Sequence, residues 1–364
     1  GFGHGEGYLY PHAYRDHWVA QQYLPAALQG RLFYQPSDQG YEAALGARLA
    51  RQREAQLAAM LDNIDAAPLE TLTFSPADRE RDRWLQRTIS EVTGHLAGLR
   101  DRVLDAARLQ RHHTVLDINA GTGLLTWEAL RRTPEGGVWA VVRSGAEAEA
   151  LHQQAARLPE VERPHVLVGD LADLPHLLAE AAAADVRFDA VVGRNALGAL
   201  QSEERRTAAA HLASLLATGG TLSLSEAIPR YSQRLYRLVD LSPLGSELAR
   251  RVAEAEEAIY ESPDDPLVNW ETADLADLLR DAGFRRVDAA VHLSTTRMHL
   301  SASRLQRWFT PAVPGGRPTY AQHLLRLLDE DELRTVRELF ERSLLNQTVP
   351  WQTTHAHLTG SPGV

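Results

Sequence analysis

From Thr114 onward, short apolar runs alternate with patterns typical of amphipathic helices. Runs of this kind, separated by helical segments, are typical of βαβ units, which build a parallel sheet with helices packed on its faces. The sequence therefore predicts an α/β fold. Five strands are predicted in succession, beginning at Thr114, Val138, His165, Phe188 and Thr221.

The first predicted strand ends in a turn with two glycines, and a helix follows from Leu124. Asp117 falls at the tip of this strand, while Gly121 and Gly123 let the backbone turn tightly beneath a ligand. The N-terminus of the helix offers N–H groups to a carboxylate. A dinucleotide site would carry a third glycine where this chain has Thr126. The turn thus predicts a ligand site, but not a typical nicotinamide site.

This turn, with its acid four residues before the first glycine, resembles motif I of the class I S-adenosylmethionine-dependent methyltransferases. The turn at 217–220 resembles the Gly-Gly turn that precedes the family's fifth strand. The resemblance covers residues 113–364 and implies a Rossmann-like class I methyltransferase sheet. It also implies S-adenosylmethionine as the cofactor, and helical insertions at about 230–260 and 303–345.

The resemblance assigns roles to individual residues. Asp117 would meet the methionyl amine, so we expect its carboxylate to face the ligand and not the core. Asp170 would accept a hydrogen bond from the adenine amino group, or it caps the next helix. Asn195 would lie near the sulfonium and the acceptor, or it is a turn residue. No metal is predicted, and the full cofactor set is Asp117, Asn119, Ala120, Gly121, Thr122, Gly123, Arg143, Ser144, Asp170, Leu171 and Asn195.

The end of the second strand departs from the family pattern. Most members have an acid there that holds the ribose hydroxyls, whereas this chain has Arg143 and Ser144, with Glu147 as the next carboxylate. Either Ser144 or Glu147 replaces the acid, or the cofactor binds weakly, or the domain has lost it. A non-catalytic methyltransferase-like interaction module is therefore the alternative to an enzyme. A nicotinamide enzyme, with Arg143 reading a 2′-phosphate, is disfavoured by the missing third glycine.

The composition excludes several other chemistries. The chain has no cysteine, and all 38 of its Lys and Arg residues are arginine. A cysteine nucleophile and a P-loop lysine are both absent, so we expect no ATPase activity within this chain. A net charge of −10 argues against a general DNA-binding surface. No apolar run approaches the roughly 20 residues that span a bilayer, so we expect a cytoplasmic protein that does not contact membranes.

The methyl acceptor is not identified by any motif. The strand-four loop, Gly193 to Leu197, differs from the Asn-Pro-Pro-Tyr loop of amino-methylating DNA enzymes. His355 and His357 alternate on a final predicted strand, 348–358, so both side chains should face one side. A metal pair is one interpretation; a polar sheet face is favoured because no third ligand is evident.

The N-terminal 45 residues carry a second resemblance. Three stretches, 5–12, 17–25 and 33–42, resemble the C-terminal end of the replication-associated recombination AAA+ ATPases (RarA/MgsA). This resemblance implies an upstream ATPase portion as partner and a setting in DNA replication and recombination. Because the chain begins with Gly1, we expect it to be either a processed chain or a piece of a longer protein. Residues 46–112 are predicted to form a helical linker.

Overall fold

A computed structural model describes residues 94–156, 158–312 and 317–362. Seven strands form one sheet in the order β3-β2-β1-β4-β5-β7-β6. Strands β1 to β5 pair in parallel, whereas β7 is antiparallel to both β5 and β6. This is the class I sheet that the sequence predicts, so the predicted fold class is confirmed. The strands are β1 (Thr114–Asp117), β2 (Gly137–Val142), β3 (His165–Val168), β4 (Phe188–Arg194), β5 (Leu216–Ala227), β6 (Asp288–His299) and β7 (Thr348–Gly360).

Helices cover both faces of the sheet, since each contributes an apolar stripe that buries alternate strand residues. On one face α1, α2 and α3 pack over β1, β2 and β4. On the other face α4, α5 and α7 cover the larger core. The helices are α1 (94–106, as far as described), α2 (Leu124–Arg132), α3 (Gly145–Ala155), α4 (Leu174–Glu180), α5 (Ser202–Leu215), α6 (Ser246–Glu257), α7 (Thr272–Asp281), α8 (Ala302–Phe309), α9 (Tyr320–Leu324) and α10 (Glu330–Leu344).

Two element boundaries differ from the sequence prediction. The predicted turn at 217–220 is part of β5, because Leu216 already pairs with Phe188 before a register shift. The predicted helical linker, residues 46–112, is described only from residue 94, and its helix α1 ends at residue 106; Leu96 and Leu99 of this helix are buried. The predicted N-terminal tail and most of the predicted linker lie outside the described residues.

A second hydrophobic core joins the helices inserted after β5 and between β6 and β7. It contains α6, α8, α9 and α10, and it lies where β6 ends and β7 begins. The carboxylate of Glu256 is buried within it and accepts hydrogen bonds from Tyr236 N (2.9 Å) and the Tyr320 hydroxyl (2.8 Å). The insertion therefore forms a helical layer at the carboxyl edge of the parallel strands. Within the described ranges, no helix has the length and apolar character needed to cross a membrane.

Candidate cofactor site

The turn after β1 requires glycine at two positions. Gly121 and Gly123 have φ angles of 51° and 83°, in the left-handed region that side chains disfavour. A Cβ atom on Gly123 would lie 2.2 Å from Trp127 Nε1, so even alanine would displace the indole. Gly123 is also the N-cap of α2 and makes no side-chain cap bond. The turn, which includes Ala120 and the half-buried Thr122, thus places a bare helix N-terminus at the sheet edge.

Asp117 corrects one expectation from the sequence. Its carboxylate is fully buried and accepts a hydrogen bond from Thr126 Oγ1 at 2.7 Å. Backbone N–H groups of Asn119 and Thr126 also donate to it, so the side chain caps α2 from within the core. Burial raises the pKa of Asp117 to about 6, against the opposing effect of these hydrogen bonds. The expectation that the carboxylate faces away from the core is wrong; Asp117 holds the glycine turn in shape.

Glu147 lies at the tip of β2, where the ribose-binding acid was missing from the sequence. Its Oε2 atom accepts hydrogen bonds from Arg143 N (2.8 Å) and Ser144 N (3.3 Å). Ser144 Oγ accepts in return from Glu147 N at 3.3 Å, which completes a capping box for α3. Within the described residues, the Oε1 atom of Glu147 and the guanidinium of Arg143 make no hydrogen bond. A carboxylate oxygen is therefore available beside the end of β2.

Asp170 follows β3 at the same edge of the sheet. Its side chain is exposed and makes no cap hydrogen bond to the short 3-10 helix that begins at Leu171. The capping alternative is therefore not what the structure shows. Leu171 is buried in the main core, which anchors the chain immediately after Asp170.

Two asparagines connect the turns after β1 and β4. Asn119 Nδ2 donates to the carbonyls of Arg194 (2.8 Å) and Asn195 (3.0 Å). Asn195 has a left-handed backbone, with φ of 50°, and its Oδ1 accepts from Ala227 N at 2.9 Å. Asn195 is thus a turn residue that ties β4 to β5. The same position places it at the sheet edge beside the glycine turn.

Two buried groups of opposite charge, one on each side, hold the loop after β4. Glu226 at the end of β5 is 1% exposed and accepts hydrogen bonds, each 3.0 Å long, from the N–H groups of residues 196, 197 and 198. Arg205 on α5 is 3% exposed and donates to the carbonyls of Leu197 (3.1 Å) and Gly198 (3.0 Å). The peptide dipoles of the loop therefore run between a carboxylate and a guanidinium.

Burial raises the pKa of Glu226, although the three N–H groups and Arg205 oppose this shift. Burial likewise lowers the pKa of Arg205, with Glu226 acting in the opposite direction. Because a lone buried charge is costly, each group depends on the other and on the loop between them.

The same loop is tied to the chain before α7. Arg205 also donates to Asn269 Oδ1 (3.0 Å) and to the Pro266 carbonyl, and Trp270 Nε1 donates to the Gly198 carbonyl at 3.0 Å. Sequence reasoning missed Arg205, Glu226 and Trp270. Of these three, only Glu226 could have been found from the sequence, as a carboxylate that directly follows an apolar strand. In the described parts of the chain, no cluster of three or more His, Asp or Glu side chains is arranged to bind a metal.

Comparison with known families agrees with this fold and site. Residues 115–220 match the family model described as "Methyltransferase domain". Residues 1–53 match the model described as "MgsA AAA+ ATPase C terminal". The chain thus joins an MgsA-type C-terminal segment to a methyltransferase domain, as both resemblances predict.

One curated relative is "Replication-associated recombination protein A" of Bacillus subtilis (strain 168), which is 48% identical over 44 residues. The match covers 12% of this chain and only 10% of that protein. The YcgJ protein from Bacillus subtilis is a structural neighbour, with TM-score 0.43 and 14% identity over 74% of this chain and 99% of its own. A mycolic acid cyclopropane synthase solved with S-adenosylhomocysteine has TM-score 0.43 and 16% identity, covering 85% and 98%. TM-scores of 0.43 carry no information about the activity of this chain.

Proposed function

We propose that this domain binds S-adenosylmethionine along the edge formed by the glycine turn, Glu147 and Asp170, and transfers its methyl group to an acceptor. The observation that carries the proposal is the Glu147 carboxylate at the tip of β2. Its free oxygen would accept hydrogen bonds from the ribose hydroxyls, in place of the acid that this chain lacks at Arg143. A non-catalytic module would not need this oxygen.

The other residues at the edge fit the remaining parts of the cofactor. The N-terminus of α2 suits the methionyl carboxylate, because the helix dipole favours negative charge there. The exposed Asp170 carboxylate suits the adenine amino group. Asn119 and Asp117 support this edge indirectly, since they fix the glycine turn against β4 and α2.

When bound, S-adenosylmethionine supplies an electrophilic methyl group on a sulfonium. The protein's contribution is to position the acceptor in line with that group, which needs little acid–base chemistry. The loop after β4 suits this role because Glu226 and Arg205 hold it rigidly at the edge. The inserted helical core lies at the same edge and is placed to exclude water.

Glu147→Gln is expected to weaken S-adenosylhomocysteine binding about tenfold or more, because a hydrogen bond to a charged group contributes about 1.5–3 kcal/mol. The amide keeps an oxygen for the capping box, so we expect little change in stability. Glu149→Gln on the exposed side of the same helix is the matched control. Calorimetric dissociation constants for both variants test the proposal, and equal affinities would remove Glu147 from the site.

We also infer that the methyltransferase works within, or beside, an AAA+ ATPase that acts in DNA replication and recombination in the cytoplasm. The support is the family match of residues 1–53 and the relative from Bacillus subtilis. That relative is matched over a tenth of its length, so its role comes to this chain only as part of this proposal.

A further inference from the structure

A cleft of about 200 Å³ opens between α1 and the sheet face formed by β5, β7 and β6. Ser225, which contributes to its wall, pairs with Arg194 and accepts a hydrogen bond from Asn195 N at 2.9 Å. The cleft therefore adjoins the loop after β4 at the proposed cofactor edge. Its polar lining consists of His95, Arg102, Ser225, His292, His355 and His357.

The histidines reach the cleft through strand alternation. His355 and His357 line it together, as their spacing predicts, while Ala356 and Leu358 are buried in the core on the opposite face. His292 on β6 is the register partner of His355. The ring centroids of His292 and His357 are 6.4 Å apart.

Hydrogen bonding fixes the tautomer of His357. Ser223 Oγ has one proton, which it donates to the Val103 carbonyl at 2.8 Å. The same oxygen therefore accepts from His357 Nε2–H at 3.3 Å, and Nδ1 is left with a lone pair. Burial, aided by Arg102 and His292, lowers the pKa of His357 to about 4, so the ring is neutral near pH 7.

The ionisable side chains that are described around the cleft are all basic. His357 shares the cleft with His95 and Arg102 from α1, His292 from β6 and His355 from its own strand, and none of the described residues that line it is a carboxylate. Arg102 makes no hydrogen bond or ion pair with any residue that the structure describes, although the chain carries a net charge of −10. The complementary ligand is an anion.

We propose that this cleft binds the anionic group of the methyl acceptor, a carboxylate or a phosphate, with Arg102 as its counter-charge; its role in methyl transfer rests on the proposed function. The lone pair of neutral His357 Nδ1 repels an anion, whereas the protonated ring donates to one. Because a nearby negative charge favours the imidazolium form, anion binding takes up a proton from solvent at Nδ1.

The test is calorimetric titration of the full chain with sodium sulfate and with sodium acetate at constant ionic strength, at about pH 5.5 and pH 8. Sulfate represents phosphate and does not titrate in this range. We expect Arg102→Gln to weaken binding of the preferred anion at least tenfold. Binding should be several-fold tighter at the lower pH, and this dependence should be smaller in His357→Gln, where the other histidines of the cleft remain. Tighter sulfate binding indicates a phosphate-bearing acceptor, and tighter acetate binding indicates a carboxylate.

Arg206→Gln, which removes an exposed arginine on α5, is the charge-matched control and should bind like the unmodified protein. Equal affinities in Arg102→Gln and Arg206→Gln, or affinities independent of pH, would overturn the proposal. S-adenosylhomocysteine is titrated separately. A chain that binds anions through Arg102 but not S-adenosylhomocysteine supports the anion site while removing the proposed function.

Discussion

Arg205→Met is expected to lower the free energy of unfolding by about 3–5 kcal/mol, because it leaves the buried Glu226 carboxylate without its counter-charge. The carbonyls of Leu197 and Gly198 each lose one of their two donors in the same variant. Urea unfolding monitored by tryptophan fluorescence measures the change. Arg206→Met is the matched control: this neighbour on α5 is exposed and, among the residues that the structure describes, pairs with Glu203 alone, so its loss should cost less than about 0.5 kcal/mol.

The double variant Arg205→Met/Glu226→Gln separates lost charge pairing from lost packing. Removing both charges should restore part of the stability, because an uncompensated buried charge costs more than a neutral pair. If Arg205→Met and Arg206→Met unfold at the same urea concentration, the strand-four loop is not held by Arg205 and Glu226.

Asp117→Asn is expected to remove a pH dependence of stability. The pKa of Asp117 is about 6 in the folded protein, above its ordinary value of 3.8, so the folded state binds more protons between these limits. The contribution of Asp117 to stability is therefore greatest below about pH 4 and is lost as the pH rises through 6. Relative to Asp117→Asn, the unmodified protein should lose about 3 kcal/mol across this interval, since one pKa unit corresponds to about 1.36 kcal/mol.

Chemical denaturation of both proteins at intervals from about pH 4 to pH 7.5 gives this difference directly. Asp170→Asn, which removes an exposed carboxylate from the same sheet edge, corrects for the change in net charge. A stability difference that stays constant with pH would show that the Asp117 carboxylate faces away from the core, as the sequence interpretation predicts.

The sheet can be predicted from the sequence because apolar runs of strand length alternate with helical patterns. Strands β1, β3 and β4 begin at the predicted residues, and β2 begins one residue before its predicted start. The turn at 217–220 was misjudged because Gly219 and Gly220 resemble a loop. Pairing of Leu216 with Phe188 includes that stretch in β5, and local sequence does not reveal this contact.

The site is less predictable than the sheet, because sequence places residues at strand ends without showing which donors they meet. Asp117 stands at the predicted tip, but Thr126 one turn into α2 draws its carboxylate inward. The Ser144–Glu147 spacing is a capping-box pattern, which predicts that the Glu147 side chain points back to the N-terminus of α3. The Arg205–Glu226 pair and the four-histidine cleft join distant segments, so no local pattern indicates them.

The central claim, that this domain binds S-adenosylmethionine, is tested most directly by calorimetric titration with S-adenosylhomocysteine, with NADPH as the competing ligand. We expect one binding site for S-adenosylhomocysteine and none for NADPH. At a free concentration about 100 times the dissociation constant, the ligand should stabilise the folded chain by about 2.7 kcal/mol. No heat of binding and no stabilisation at millimolar S-adenosylhomocysteine would contradict the account and favour a non-catalytic methyltransferase-like module; binding of NADPH instead would indicate a nicotinamide enzyme.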